Sequence, residues 1–76
     1  MPRKVYKKIQ LVGSSSEGIE GAIGEAVSTA GMTLRNLDWF EVIDIRGDID
    51  DGEVSTYQVT LNVGFRMERG DEAFGD

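Results

Sequence analysis

The chain has 76 residues with Cys 0 and His 0, and Asp+Glu 14 against Lys+Arg 8 gives a formal charge of -6 at pH 7. These counts exclude a disulfide framework, a thiolate or imidazole metal site, a cysteine nucleophile and a Ser-His-Asp triad. The negative field also disfavours nucleic acid and anionic membrane surfaces as partners. A single domain of this length buries only about 60% of the surface its unfolded chain exposes, so self-association is the expected source of extra stability. Hydrophobic content of 39% and one proline fit an ordered globular domain, and no apolar run suits a membrane span or a secretory signal, so a soluble cytoplasmic protein is expected.

Val5 to Val12 mixes Val5, Tyr6, Ile9, Leu11 and Val12 with Lys7, Lys8 and Gln10, a roughly alternating stretch that predicts a first strand with lysines on its exposed side. In the following Gly13-Ser14-Ser15-Ser16-Glu17, Ser14 and Glu17 have the S-x-x-E spacing of a capping box and predict a helix start. Ile19, Ala22, Ile23, Ala26, Val27, Ala30 and Leu34 then form one stripe at 3.6 residues per turn, which needs a sheet to cover it. The opposite side carries Gly18, Gly21, Gly24, Ser28 and Gly31 and reads as a thin solvent face in preference to a close contact with a neighbouring subunit. Each interior glycine costs about 1 kcal/mol against alanine, so packing must hold this helix.

Asn36-Leu37-Asp38 closes the helical region, and Trp39 to Arg46 reads as a second strand. Its apolar residues sit on even numbers at Phe40 and Val42 but on odd numbers at Ile43 and Ile45, a slip that a β-bulge near Val42-Ile43 repairs. With that bulge Trp39, Glu41, Asp44 and Arg46 point away from the helix, and Phe40, Val42, Ile43 and Ile45 fill the core. The acidic run Asp48 to Glu53 is a turn centred on Asp51-Gly52. From Tyr57 to Met67 the alternation is nearly ideal, with Tyr57, Val59, Leu61, Val63, Phe65 and Met67 facing one way and Gln58, Thr60, Asn62, Gly64 and Arg66 the other. Gly70 to Asp76 is polar and aperiodic and reads as a frayed tail, leaving residues 1–69 as one domain. The fold class is α+β in β-α-β-β order, a three-stranded antiparallel sheet wrapped around one amphipathic helix.

Several chemical motifs fail on inspection. Gly13 to Gly18 has the G-x-x-x-x-G spacing of a phosphate loop, but Ile19-Glu20 stands where lysine and a hydroxyl residue are required, so it is a capped helix start. Asp48, Asp50 and Glu53 hint at a calcium loop, yet Gly52 falls at the fifth position and not the sixth, and no acid occurs at the twelfth; a solvated turn is the reading. Glu41 and Asp44 could share acid-base work only inside an apolar wall that the sequence does not provide, so no catalysis and no metal site are expected. Trp39 is more informative. It is core if the bulge is absent; with the bulge, a flat indole shares the polar face with the Gln58 amide and Arg46, which suits a planar heteroaromatic ligand with an anionic tail. Stacking contributes about 0.5 to 1.5 kcal/mol per aromatic pair, an amide can read an imide edge, and a guanidinium can grip a phosphate bidentately.

The segments Val5-Tyr6-Lys7-Lys8, Val12-Gly13-Ser14-Ser15, Thr33 to Val42 with its D-W-F-E-V string, Ile45-Arg46-Gly47, Tyr57-Gln58-Val59 and Val63-Gly64-Phe65-Arg66 resemble the dodecins, small flavin-binding proteins. The resemblance spans nearly all the chain except its C-terminal tail. It implies a hollow homododecamer, helices outside, with flavins stacked in pairs between Trp residues of symmetry-related subunits. Carried over, Trp39 is the stacking residue, Gln58 reads the pyrimidine edge of the isoalloxazine, Arg46 meets the phosphate or ribityl chain of FMN or riboflavin, Asp44 lies near the ribityl chain, and Arg66 and Lys4 are weaker candidates. Some members also hold coenzyme A, but Met32 and Thr33 stand where more basic character is expected, so that ligand is not assigned. The implied role is flavin storage, sequestration and quenching without turnover. The competing readings are a structural oligomer whose Trp39 packs at a subunit contact without any flavin, and a flavin-dependent oxidoreductase, which lacks a proton-transfer residue near the ring.

Overall fold

A computed structural model describes residues 4–67. The expected tail at 70–76 lies outside the described residues, as does the end of the expected 1–69 domain. The order is β1 (Tyr6–Ser15), α1 (Ile19–Gly31), β2 (Leu37–Asp50), β3 (Glu53–Arg66). One antiparallel sheet has the strand order β1-β3-β2. The helix carries the chain from β1 to the far edge, so that the β2–β3 hairpin returns β3 into the centre. No helix among the described residues is long and apolar enough to cross a membrane.

Several boundaries differ from the sequence expectation: α1 ends at Gly31, short of Leu34, and β3 begins at Glu53, ahead of Tyr57. The capping box does not form: the N-cap is Gly18, with φ 136 and no side-chain cap bond. Ser14 and Ser15 instead extend β1, opposite Gln58 and Tyr57 of β3, and the Ser15 hydroxyl accepts from the Glu17 N–H at 2.9 Å. Strand pairing satisfies the backbone that a cap would have served, which moves the helix start to Ile19. The acidic run is not an extended turn either. β2 continues through Asp48-Ile49-Asp50, and only Asp51 and Gly52 form the loop. Their φ values of 55 and 80 are the two positive angles that a type I′ hairpin demands.

Ala22, Ala26 and Ala30 of α1 press onto Val59, Leu61 and Val63 of β3, with Ile9, Leu11, Ile23, Val27, Leu34 and Leu37 partly buried around them. Alanines on the contact stripe let the helix sit close to the sheet. At Gly13 a Cβ would collide with the Ala22 carbonyl oxygen, so β1 passes under the helix only as glycine.

The expectation that Phe40, Val42, Ile43 and Ile45 fill the core is corrected. The helix packs against β1 and β3, while β2 lies beyond it. Thirteen helical residues span about 20 Å, whereas fourteen strand residues span roughly 46 Å. Phe40, Val42 and Ile45 therefore face the helix side of the sheet largely beyond the helix, each between 41% and 49% exposed.

Candidate functional site

The site is built on the sheet face opposite the helix. Val59, Leu61 and Val63 of β3 are buried against α1, so the even-numbered residues Gln58 to Arg66 and their neighbours on β1 and β2 form the other face. Two register shifts in β2 set what joins them. The shift between Val42 and Asp44 makes Ile43 the extra residue, which puts Glu41 opposite Asn62, Asp44 opposite Thr60 and Arg46 opposite Gln58. The shift between Leu37 and Trp39 makes Asp38 extra, which sends Leu37 toward the helix and sets Trp39 opposite Gly64.

Trp39 lies on a bare floor. A Cβ at Gly64 would overlap the Cζ2 and Cε2 atoms of the indole, so the ring rests directly on the β3 backbone while 39% of the residue stays exposed. Because Gly64 raises no side chain, the indole leans across β3 toward β1, where its centroid lies 5.8 Å from that of Tyr6 at an interplanar angle of 47°. The Tyr6 hydroxyl donates to Asp38 Oδ2 at 3.1 Å, and Arg66 Nη1 stands 3.8 Å from the same oxygen. That hydrogen bond to Asp38 raises the Tyr6 pKa above its ordinary value.

Next to this aromatic pair a polar ladder crosses all three strands. Lys8 Nζ donates to Glu41 Oε2 at 2.8 Å, Asn62 Nδ2 donates to the same oxygen at 2.9 Å, and Gln10 Nε2 reaches Asn62 Oδ1 at 3.4 Å. The bonds from Lys8 and Asn62 hold the Glu41 carboxyl below its usual range.

Arg46 and Gln58 meet at the other end. The Arg46 Nε donates to Gln58 Oε1 at 2.9 Å, which occupies the amide oxygen and leaves the NH2 group as the donor end. Asp44 stands exposed between the two ends. The six residue steps along β3 from Gln58 to Gly64 span about 20 Å. Trp39 and the Arg46–Gln58 pair therefore share a face without sharing a site in one chain. Arg66 is engaged with Asp38. Lys4 is exposed two residues ahead of β1, so no strand pairing fixes its place.

Sequence reasoning placed Glu41 and Asn62 on this face, but it missed Tyr6 and Asp38 as members and missed the bonds that join Lys8, Glu41 and Asn62 into a ladder. Their grouping depends on the β1–β3 register and on the second bulge, and the alternation of a single strand carries neither.

The dodecin family model matches residues 5–68. The chain belongs to the dodecin family. A curated dodecin from Thermus thermophilus is 60% identical over 65 residues, which is 86% of this chain and 94% of that protein. A crystal structure of a Thermus thermophilus protein, 58% identical, matches with a TM-score of 0.84 over 88% of this chain and 98% of its own. The dodecin of Streptomyces coelicolor, 46% identical, matches with a TM-score of 0.85 over 91% and 99%. Dodecin membership accounts for the β-α-β-β order, and the sheet of this dodecin leaves open an apolar strip on one side of β2 and an indole on the other.

Proposed function

We propose that this dodecin is a cytoplasmic, non-enzymatic flavin store that stacks FMN or riboflavin on Trp39 within a hollow homododecamer and quenches its excited state. The observation that carries the reading is the indole of Trp39, laid flat on the bare Gly64 backbone and half open to solvent. A ring so held has little conformational freedom left to lose on stacking, and a tricyclic ligand finds an apolar plane there. Gln58, with its oxygen held by Arg46, offers its NH2 group to a carbonyl of the pyrimidine edge. The remaining Arg46 donors suit a phosphate, Asp44 suits the ribityl hydroxyls, and Arg66 and Lys4 are secondary contacts. Since about 20 Å of strand separates Gln58 from the Trp39 floor, more than the three fused rings of a flavin can bridge, the two ends serve one ligand only when they come from different copies.

A second reading, a structural oligomer without ligand, draws on the uncovered Phe40, Val42 and Ile45, which call for a neighbouring copy whether or not flavin binds. Titration of FMN and riboflavin emission separates the two. Loss of emission on binding, restored in Trp39→Ala, is expected; full emission throughout, or equal loss in wild type and variant, refutes the stacking role.

A further inference from the structure

We infer that Tyr6 is the electron donor that re-reduces Trp39 after one-electron oxidation, with Asp38 taking the phenolic proton. The inference deepens the flavin reading, from which it takes its oxidant, a photoexcited isoalloxazine, but the step itself uses only this chain's residues.

Three features of the fold meet here. The rings of Tyr6 and Trp39 are 5.8 Å apart between centroids and tilted, within the range of contacting aromatic pairs, so an electron crosses no intervening group. A phenol that loses an electron at neutral pH must also lose its proton, and the Tyr6 hydroxyl already donates to Asp38 Oδ2 at 3.1 Å. Arg66, 3.8 Å from that oxygen, helps hold the carboxylate of Asp38, the extra residue of the β2 register shift, in place. Until the electron leaves, the same hydrogen bond favours the neutral phenol, in line with the raised Tyr6 pKa.

The step balances within the cluster. The indole radical cation of Trp39, the Tyr6 phenol and the Asp38 carboxylate become the indole, the phenoxyl radical and the carboxylic acid, with no change in total charge. One electron returned to the phenoxyl from the reduced flavin radical, which holds the electron taken from the indole, and the proton returned from Asp38 restore the start. The vacancy thereby leaves the exposed ring that faces a ligand, and the chain's one tryptophan is spared irreversible oxidation. Tyr57, the second tyrosine, serves as an internal control. It lies opposite Gly47 and Ser15, on the helix side of the sheet and seven β3 residues, roughly 23 Å, from Gly64.

Pulse radiolysis of the flavin-free protein with azide radicals, which oxidise indole in preference to phenol, tests the relay. In wild type the indolyl absorption should decay while the phenoxyl absorption rises in equal yield, at a rate independent of protein concentration. Tyr6→Phe should lose the phenoxyl rise and prolong the indolyl radical, Tyr57→Phe should behave as wild type, and Asp38→Asn should slow the transfer. A phenoxyl rise that survives in Tyr6→Phe, or is lost in Tyr57→Phe, overturns the inference. So does a wild-type indolyl radical that decays with no phenoxyl, a result that needs no variant to fold. With no flavin in the sample, failure here is distinct from failure of the emission titration.

Discussion

Gly64→Ala isolates the seat of Trp39 from everything else on that face. The backbone at Gly64 is not among the positive-φ glycines, so alanine fits the strand conformation, and the atoms nearest its Cβ all belong to the indole. Removing a glycine from a strand interior stabilises by about 0.5–1 kcal/mol. Displacing the ring from the Tyr6 edge costs about 0.5–1.5 kcal/mol. The two nearly cancel, and a net change within about 1 kcal/mol moves the melting temperature of a domain this size by less than about 8 °C. Ligand stacking has no such compensation: losing about 0.5–1.5 kcal/mol of aromatic contact weakens flavin binding by about 2- to 13-fold. Near-ultraviolet circular dichroism of the one tryptophan should change while far-ultraviolet dichroism does not, and flavin titration should shift to higher protein concentration. If both the aromatic dichroism and the flavin titration match wild type, the indole does not rest on Gly64.

Three further outcomes follow from the packing and charges. Leu61, with 0% exposure at the centre of β3, should cost about 2–5 kcal/mol as Leu61→Ala in denaturant unfolding, and a cost below 1 would mean that the helix does not close over it. Ile45→Asp, on the uncovered side of β2 opposite Val59, should lower the sedimentation coefficient of the assembly, and an unchanged coefficient would show that this strip is not a subunit contact. Glu41 is held below its usual range by Lys8 and Asn62, so the folded state favours its ionised form. That contribution is complete above the ordinary carboxylate pKa of about 4.3 and fades as the pH falls through the lower folded value. The melting temperature of Glu41→Gln should therefore trail wild type at neutral pH and converge with it in acid; a constant gap would place the effect elsewhere.

The face of Trp39 was legible because β2 changes phase. Phe40 and Val42 on even positions and Ile45 on an odd one leave a single extra residue, and the register shift lies where that residue must go. Strand β3 was legible for a similar reason, since its alternation continues without a break through the buried Val59, Leu61 and Val63. The helix start was not. Ser14 and Glu17 carry a strong local signal, but the pairing of Ser14 and Ser15 with Gln58 and Tyr57 outweighs a cap, and a local rule cannot weigh partners so distant in sequence. The length of β2 was hidden similarly, because Asp48 and Asp50 are poor strand residues held in the ladder by the hairpin that begins just beyond them. For the candidate site, alternation gives the face on which Trp39, Asp44, Arg46 and Gln58 lie but not the distance along it. That distance required the register, and it divides the group into two ends.

The division and the open core strip have a joint consequence for assembly. Phe40, Val42 and Ile45 are left largely open on the helix side of β2, while on the proposed flavin reading Trp39 and the Arg46–Gln58 pair serve one ligand only across copies on the opposite side. A single two-fold contact covers the same patch on both partners and leaves every other patch as it was. One dimer contact confined to a single sheet face therefore serves the apolar strip or the indole, not both. Two distinct contacts on opposite faces of one strand require each copy to touch different neighbours, which leads to an assembly of more than two chains, in keeping with the proposed dodecamer. The two contacts should also fail separately. Ile45→Asp should break the large assembly, and Trp39→Ala should leave its size unchanged while abolishing the loss of flavin emission. If Trp39→Ala dissociates the assembly by itself, the indole is a subunit contact first, and the ligand-free structural reading gains.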